Sequence, residues 1–261
     1  MRHSAARLLA GVVILGAVLG VGSAFWFGAS NQARHIVASA GLAVPMAGAM
    51  PGLMVTLSLT NTGEAVTFSA LSSPDAGITH IMGGELASVV VPGGGTVDFA
   101  LDGAHIMMMA VSGDLRAGRL IPLQFTLGDG SVLKTQVTVA DADPVDHSLH
   151  AGMAGMPIEP APLISLTPLR DSASGPWRIT AAVDHFVFDT ERVDTEHVPG
   201  AGHGHLYLNG VKLGRYCGGE MAIGVLPPGE HTVRLDLNTN LHQPYAVDGK
   251  GVSGQTRIVV D

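Results

Sequence analysis

The chain of 261 residues is 46% hydrophobic and only 14% charged, with a formal charge of −8. It is too apolar for a disordered chain and has no basic cluster of the kind phosphate binding needs, which excludes nucleic acid as a partner class. Twelve His and 11 Met beside a single Cys exclude an intrachain disulfide framework and leave imidazole and thioether as the abundant borderline and soft donors.

In chain order, the first element is "LLAGVVILGAVLGVGSAFWF", an uncharged run of 20 residues from Leu8 to Phe27 behind Arg2 and Arg7. As a helix it is about 30 Å long and spans a bilayer, and the preceding positive charge places the body of the chain outside the cytoplasm. Two readings stand side by side: an N-terminal membrane anchor with Phe25, Trp26 and Phe27 at the interface, or a signal peptide cleaved near Gly22-Ser23-Ala24. Residues 1–28 form this segment in either case.

Beyond it the chain is punctuated by 35 Gly and 15 Pro, which opposes long helices and predicts an all-β fold. "LMVTLSLTNTG" (53–63) alternates Leu53, Val55, Leu57 and Leu59 with Thr56, Ser58 and Thr60, a strand ending in a turn. Further strands are expected over 65–71, 77–82, 86–91, 96–101 and 104–111. "IPLQFTLGDGSVLKTQVTVA" (121–140) reads as a hairpin turning at Asp129-Gly130. So many short strands in about a hundred residues predict a sandwich over 35–140. "DADPVDHSLHAGMAGMPIEPAP" (141–162) has no apolar period and reads as a linker. Alternation resumes over 177–188, 203–216 and 229–238, with Asn209-Gly210 as a hairpin turn, so 163–261 is expected to be a second, smaller β domain.

The chemistry lies in the His and Met positions. In "GAHIMMMAV", a strand places His105, Met107 and Met109 on one face and Ile106 and Met108 on the other; in "THIMG", His80 and Met82 share a face. Buried Met commonly fills irregular core gaps, but a buried imidazole without a partner costs about 1–3 kcal/mol, so a His in each Met row argues against simple packing. Imidazole with thioether and no carboxylate suits a soft monovalent ion, Cu(I).

Residues from about 40 to 140 resemble the PCu(A)C family of periplasmic copper chaperones. The resemblance rests on "VTLSLTNTG", "LSSPDAGITHIM", "VPGGGTVDF", "GAHIMMMAV" and "AGRLIPLQFTL". It implies a cupredoxin-like β-sandwich, a periplasmic location and delivery of Cu(I) to an apo-metalloprotein such as the copper centre of cytochrome oxidase. It also implies that His80, His105 and Met107 are ligands. The family's ligand Met normally lies further along the hairpin after the first His. Here that hairpin is shortened to "GGELASVVVPGGG" without a Met, so Met82 or Met109 is expected to complete the site.

Two further groups stand out. The linker carries His147, His150, Met153 and Met156, similar to the copper-recruiting extension of some family members, where imidazole favours Cu(II). In the second domain His203 and His205 share a strand face, with Met221 and His242 as the expected additional ligands and His197 and Cys217 as other donors; His185 and His231 read as turn and strand-end residues. No His-Glu-x-x-His, Gly-x-Ser-x-Gly, P-loop or dinucleotide motif is present, so no enzyme is expected. The alternatives to copper delivery are copper sequestration without delivery and a tandem β-sandwich interaction module with Met-rich cores.

Overall fold

The computed structural model describes residues 31–48, 50–84, 87, 89–144 and 155–261. The N-terminal apolar run and His147, His150 and Met153 of the linker lie outside them.

Among the described residues the fold is all-β apart from a 3₁₀ turn at Gln32–His35. The first module comprises Ile36–Ala38 (β1), Gly41–Pro45 (β2), Gly52–Asn61 (β3), Val66–Ser72 (β4), Ala76–Met82 (β5), Val90–Val91 (β6), Thr96–Phe99 (β7), His105–Val111 (β8), Leu120–Leu127 (β9) and Val132–Val139 (β10). The second comprises Met156–Pro157 (β11), Leu163–Arg170 (β12), Trp177–Asp184 (β13), Val187–Phe188 (β14), Ala201–Leu208 (β15), Val211–Tyr216 (β16), Glu220–Gly224 (β17), Gly229–Asn238 (β18), Tyr245–Val247 (β19), Lys250–Gly251 (β20) and Ser253–Val260 (β21).

β3 organises the first module. Its N-terminal half pairs with β2 and β8, and its C-terminal half with β1 and β7. The alternation read from the sequence places Leu53, Val55, Leu57 and Leu59 in the core, each at most 5% exposed, while Thr56, Ser58 and Thr60 look outward. From β3 the ladder runs through β8 to β5 on one side, and through β2, β10 and β9 to β4 on the other. Phe68, Phe99 and Phe125 fill the interior, with ring centroids 5.1 and 6.0 Å apart for the Phe68–Phe125 and Phe99–Phe125 pairs.

The second module continues the same sheet. β7 pairs with β16 at Asp98↔Lys212, and the order then runs β16, β15, β18, β21. One cluster of buried side chains extends from Leu53, Phe99 and Phe125 to Leu206, Val233 and Leu235. The β15–β16 hairpin turns at Asn209 and Gly210, both at positive φ (50° and 86°), as a two-residue loop of this hand requires. Met156 lies in β11, opposite Tyr245, and packs on the core.

Candidate metal centres

In the first module, antiparallel pairing of β5 and β8 sets His80 opposite Met107 and Met82 opposite His105. Directly opposed residues share a face with Cβ atoms about 4.5–5.5 Å apart, so two imidazoles and two thioethers form a square block. The opposite face of the same strands carries Ile81, Ile106 and Met108, all in the core. The block grades from closed to open: Met107 and His105 are 4% and 7% exposed, Met82 is 37% exposed, and His80 is exposed. His105 Nδ1 lies 3.1 Å from the Gly103 carbonyl oxygen. Nδ1 therefore carries the proton and donates, and in the neutral ring the lone pair belongs to Nε2.

Met109 continues the row beyond Met107, opposite Ile78 on β5 and Gly52 on β3. It comes with two methionines that sequence reasoning did not select. Met54 of β3 stands opposite Met107 and is fully buried. A Cβ on Gly52 would fall 3.1 Å from Met109 Sδ and 3.4 Å from Met46 Sδ, so the glycine leaves room for both thioethers. The signal for Met54 was present: it occupies the outward phase of β3, where its neighbours at the next two outward positions are Thr56 and Ser58.

In the second module, β15 projects His203 and His205 to one face, opposite Asn238 and Asp236 of β18. The intervening glycines let the sheet close behind them. A Cβ on Gly202 would sit 2.0 Å from the Asn238 carbonyl oxygen, and one on Gly204 2.5 Å from Leu235 Cδ1. His242, in the turn after β18, completes a triad in which one ligand atom from each ring lies within 4.8 Å of the other two. His203 is 0% and His205 3% exposed; His242 is exposed.

Carboxylates hold two of these rings. His205 Nδ1 is 2.6 Å from Asp102 Oδ2, which also accepts from Lys212 Nζ at 2.7 Å. Burial opposes the charge on Asp102, yet the His205 and Lys212 bonds outweigh it and hold the carboxyl well below its usual range. His242 Nε2 bonds Asp194, which also pairs with Arg215. Burial, with His205 and His242 nearby, pushes the His203 pKa down to about 3. Burial also lowers that of His205, against the opposing pull of Asp102. Both rings are neutral donors at ordinary pH.

Met221 does not join this group. Its Cε lies 3.1 Å from where a Cβ on Gly214 would stand, and Gly214 pairs with core-facing Leu206, so the thioether is on the opposite side of the sheet from His205. His197 stacks near Tyr245, with ring centroids 6.2 Å apart. Cys217 is half-buried, and burial raises its thiol pKa. His231 is satisfied by the Pro227 carbonyl at 2.8 Å, and His185 occupies a turn at positive φ.

Residues 37–139 match the family model of LpqE-like lipoproteins. The match covers the first module and leaves the second unassigned. No curated protein matches the chain. Among solved structures, the copper-bound PCuAC domain from PmoF2 is 11% identical with a TM-score of 0.38, covering 41% of this chain and 94% of that one. The Cu(I)-DR1885 solution structure from Deinococcus radiodurans is 20% identical with a TM-score of 0.34, covering 41% and 79%. The fibronectin(III)-like modules of Clostridium thermocellum CbhA cover 86% of this chain and 93% of theirs, at 11% identity and a TM-score of 0.25.

Proposed function

We propose that the first module binds Cu(I) as cargo, outside the cytoplasm, and hands it to an apo-metalloprotein. The observation that carries this reading is the register of β5 on β8, which makes one block of His80, Met82, His105 and Met107. Neutral thioethers with imidazole suit a soft monovalent ion, and this block contains no carboxylate to favour a harder one. Met109, Met54 and Met46 extend the sulfur-lined side and offer replacement donors. The gradient of exposure suits release: His105 and Met107 are held by the fold, while His80 and Met82 stand at the surface, where an acceptor's ligands can displace them one at a time. The resemblance to PCu(A)C chaperones and the match to a lipoprotein family both accord with an extracytoplasmic carrier. The same reading assigns copper recruitment to the linker's His147, His150 and Met153; Met156, expected to join them, is instead held in β11 against the core.

The test is Cu(I) titration of the chain against a competing chelator, followed by mixing with an apo acceptor. His105→Ala and Met107→Leu are expected to weaken Cu(I) binding at least tenfold, about 1.4 kcal/mol. Leucine keeps the volume of Met107 and removes only the sulfur. Wild-type affinity in both variants refutes the site. Tight binding without transfer makes the protein a copper store.

A further inference from the structure

We propose that His203, His205 and His242 form a second metal centre for a divalent borderline cation, Cu(II) or Zn(II), with Asp102 of the first module as the positioning residue that orients His205. This is independent of the Cu(I) reading and uses none of its ligands.

Proton placement supports it. Asp102 accepts at 2.6 Å, so His205 carries its proton on Nδ1 and its lone pair on Nε2. His203 Nε2 stands 2.9 Å from that nitrogen and must be the donor. A proton thus lies between two imidazole nitrogens that both face a third ring, with His203–His242 centroids 4.7 Å and His205–His242 centroids 5.6 Å apart. When a cation takes that position, the displaced proton moves to His203 Nδ1, and the Nε2 lone pairs of both rings face the ion. The arrangement also leaves His203 Nδ1 buried without a partner, and Asn240 Oδ1, in the turn that carries His242, likewise. His242 Nε2 bonds Asp194, with Arg215 Nη2 at 3.1 Å from the same nitrogen; the shorter carboxylate contact puts the proton on Nε2 and the lone pair on Nδ1, so the ring binds through Nδ1 or exchanges Asp194 for the ion.

The donor set selects the ion. Three imidazoles, two of them backed by carboxylates, without thiolate or thioether, suit Zn(II) and Cu(II) and leave room for water or an added ligand. A carboxylate on the far nitrogen of a metal-binding His fixes its tautomer and raises its basicity, and losing such a partner costs about 10–100-fold in affinity. Asp102 is built in for this purpose. Its backbone carbonyl accepts from Tyr207 Oη at 2.9 Å, and Gly103 lets the turn approach so closely that a Cβ there would fall 2.8 Å from Tyr207 Cε1.

The experiment titrates the full chain, under oxidising conditions, with Cu(II) followed by electron paramagnetic resonance and with Zn(II) followed by a competing chelator. One equivalent of either ion bound at a site with imidazole-nitrogen hyperfine structure or chelator-resistant affinity, lost at least tenfold in His203→Ala and His205→Ala, supports the centre. His242→Ala removes an exposed ring and is the variant to read if either buried change fails to fold; it too should lose tenfold. Asp102→Asn should keep the nitrogen signature with shifted spectral parameters and weaken binding about tenfold. Absence of binding at micromolar metal, or binding that survives His242→Ala and whichever buried variants fold, overturns the proposal.

Discussion

The two histidine-bearing faces solve opposite problems. On β5 and β8 the donors are set by cross-strand register, mix sulfur with nitrogen, and run from buried His105 and Met107 to exposed His80 and Met82. On β15 the donors are imidazoles, two of them buried, each of two rings held by a carboxylate, and the third supplied by a turn after β18. Under the two proposals above, the first arrangement suits a cargo ion and the second a resident one. They meet at one turn: Gly103 supplies the carbonyl that orients His105, and Asp102, beside it, supplies the carboxylate that orients His205.

The sharpest way to break this contrast is to remove one side and watch the other. The double variant His203→Ala/His205→Ala should lose divalent binding by at least 100-fold, about 2.7 kcal/mol, while Cu(I) affinity under reducing conditions changes by less than about threefold. Parallel losses at both would mean a single shared site. The reverse experiment is smaller in size. Met107→Leu should cost Cu(I) binding about tenfold and leave Zn(II) titration of the same chain unchanged.

Acid should also separate folding from binding. The fold holds the His203 pKa at about 3 against an ordinary 6.5, with burial as the main cause. Well above pH 6.5 neither state carries the proton and stability is intact; as pH falls through 6.5 toward 3 the unfolded chain takes up a proton that the folded chain refuses, so stability declines. Denaturant melts of the metal-free chain should show a lower midpoint at pH 5 than at pH 7.5, and this drop should shrink in His203→Ala. An equal drop in the variant would place the acid sensitivity elsewhere. The smallest expected effect is on the shared turn: Asp102→Asn should weaken Cu(I) binding less than threefold, because only the Gly103 carbonyl, not the Asp102 side chain, bonds His105.

What was legible in the sequence followed from alternation. β3, the β9–β10 hairpin, β16 and β18 carry a period of two, and their ends fall within a few residues of the expected ones. β12 escaped because Pro168 sits in its middle, and β21 because the small and polar residues of "SGQTR" blunt its apolar face until Ile258. β15 misled in another way. Every residue of "AGHGHLYL" is buried, so polarity does not separate its faces, and Met221 was grouped with histidines that lie across the sheet from it. The union of the modules, through Asp98↔Lys212 of β7 and β16 and the bridge Gly93↔Val225, has no sequence signature. Nor does the role of Asp102, since an Asp-Gly turn looks alike whether its carboxylate meets solvent or an imidazole brought from a hundred residues away. Met54 could have been found as an apolar side chain on an outward, Thr/Ser-bearing face; Met46 could not, because it lies just past the end of β2, where no alternation marks its face.

X-ray absorption at the copper edge of the full chain tests the central claim most directly, loaded once with one equivalent of Cu(I) under reductant and once with one equivalent of Cu(II) under air. Two sites of different chemistry predict sulfur together with nitrogen in the first shell of the Cu(I) sample, and nitrogen and oxygen alone in the Cu(II) sample. The same first shell in both samples, or a Cu(I) sample without sulfur, would contradict it.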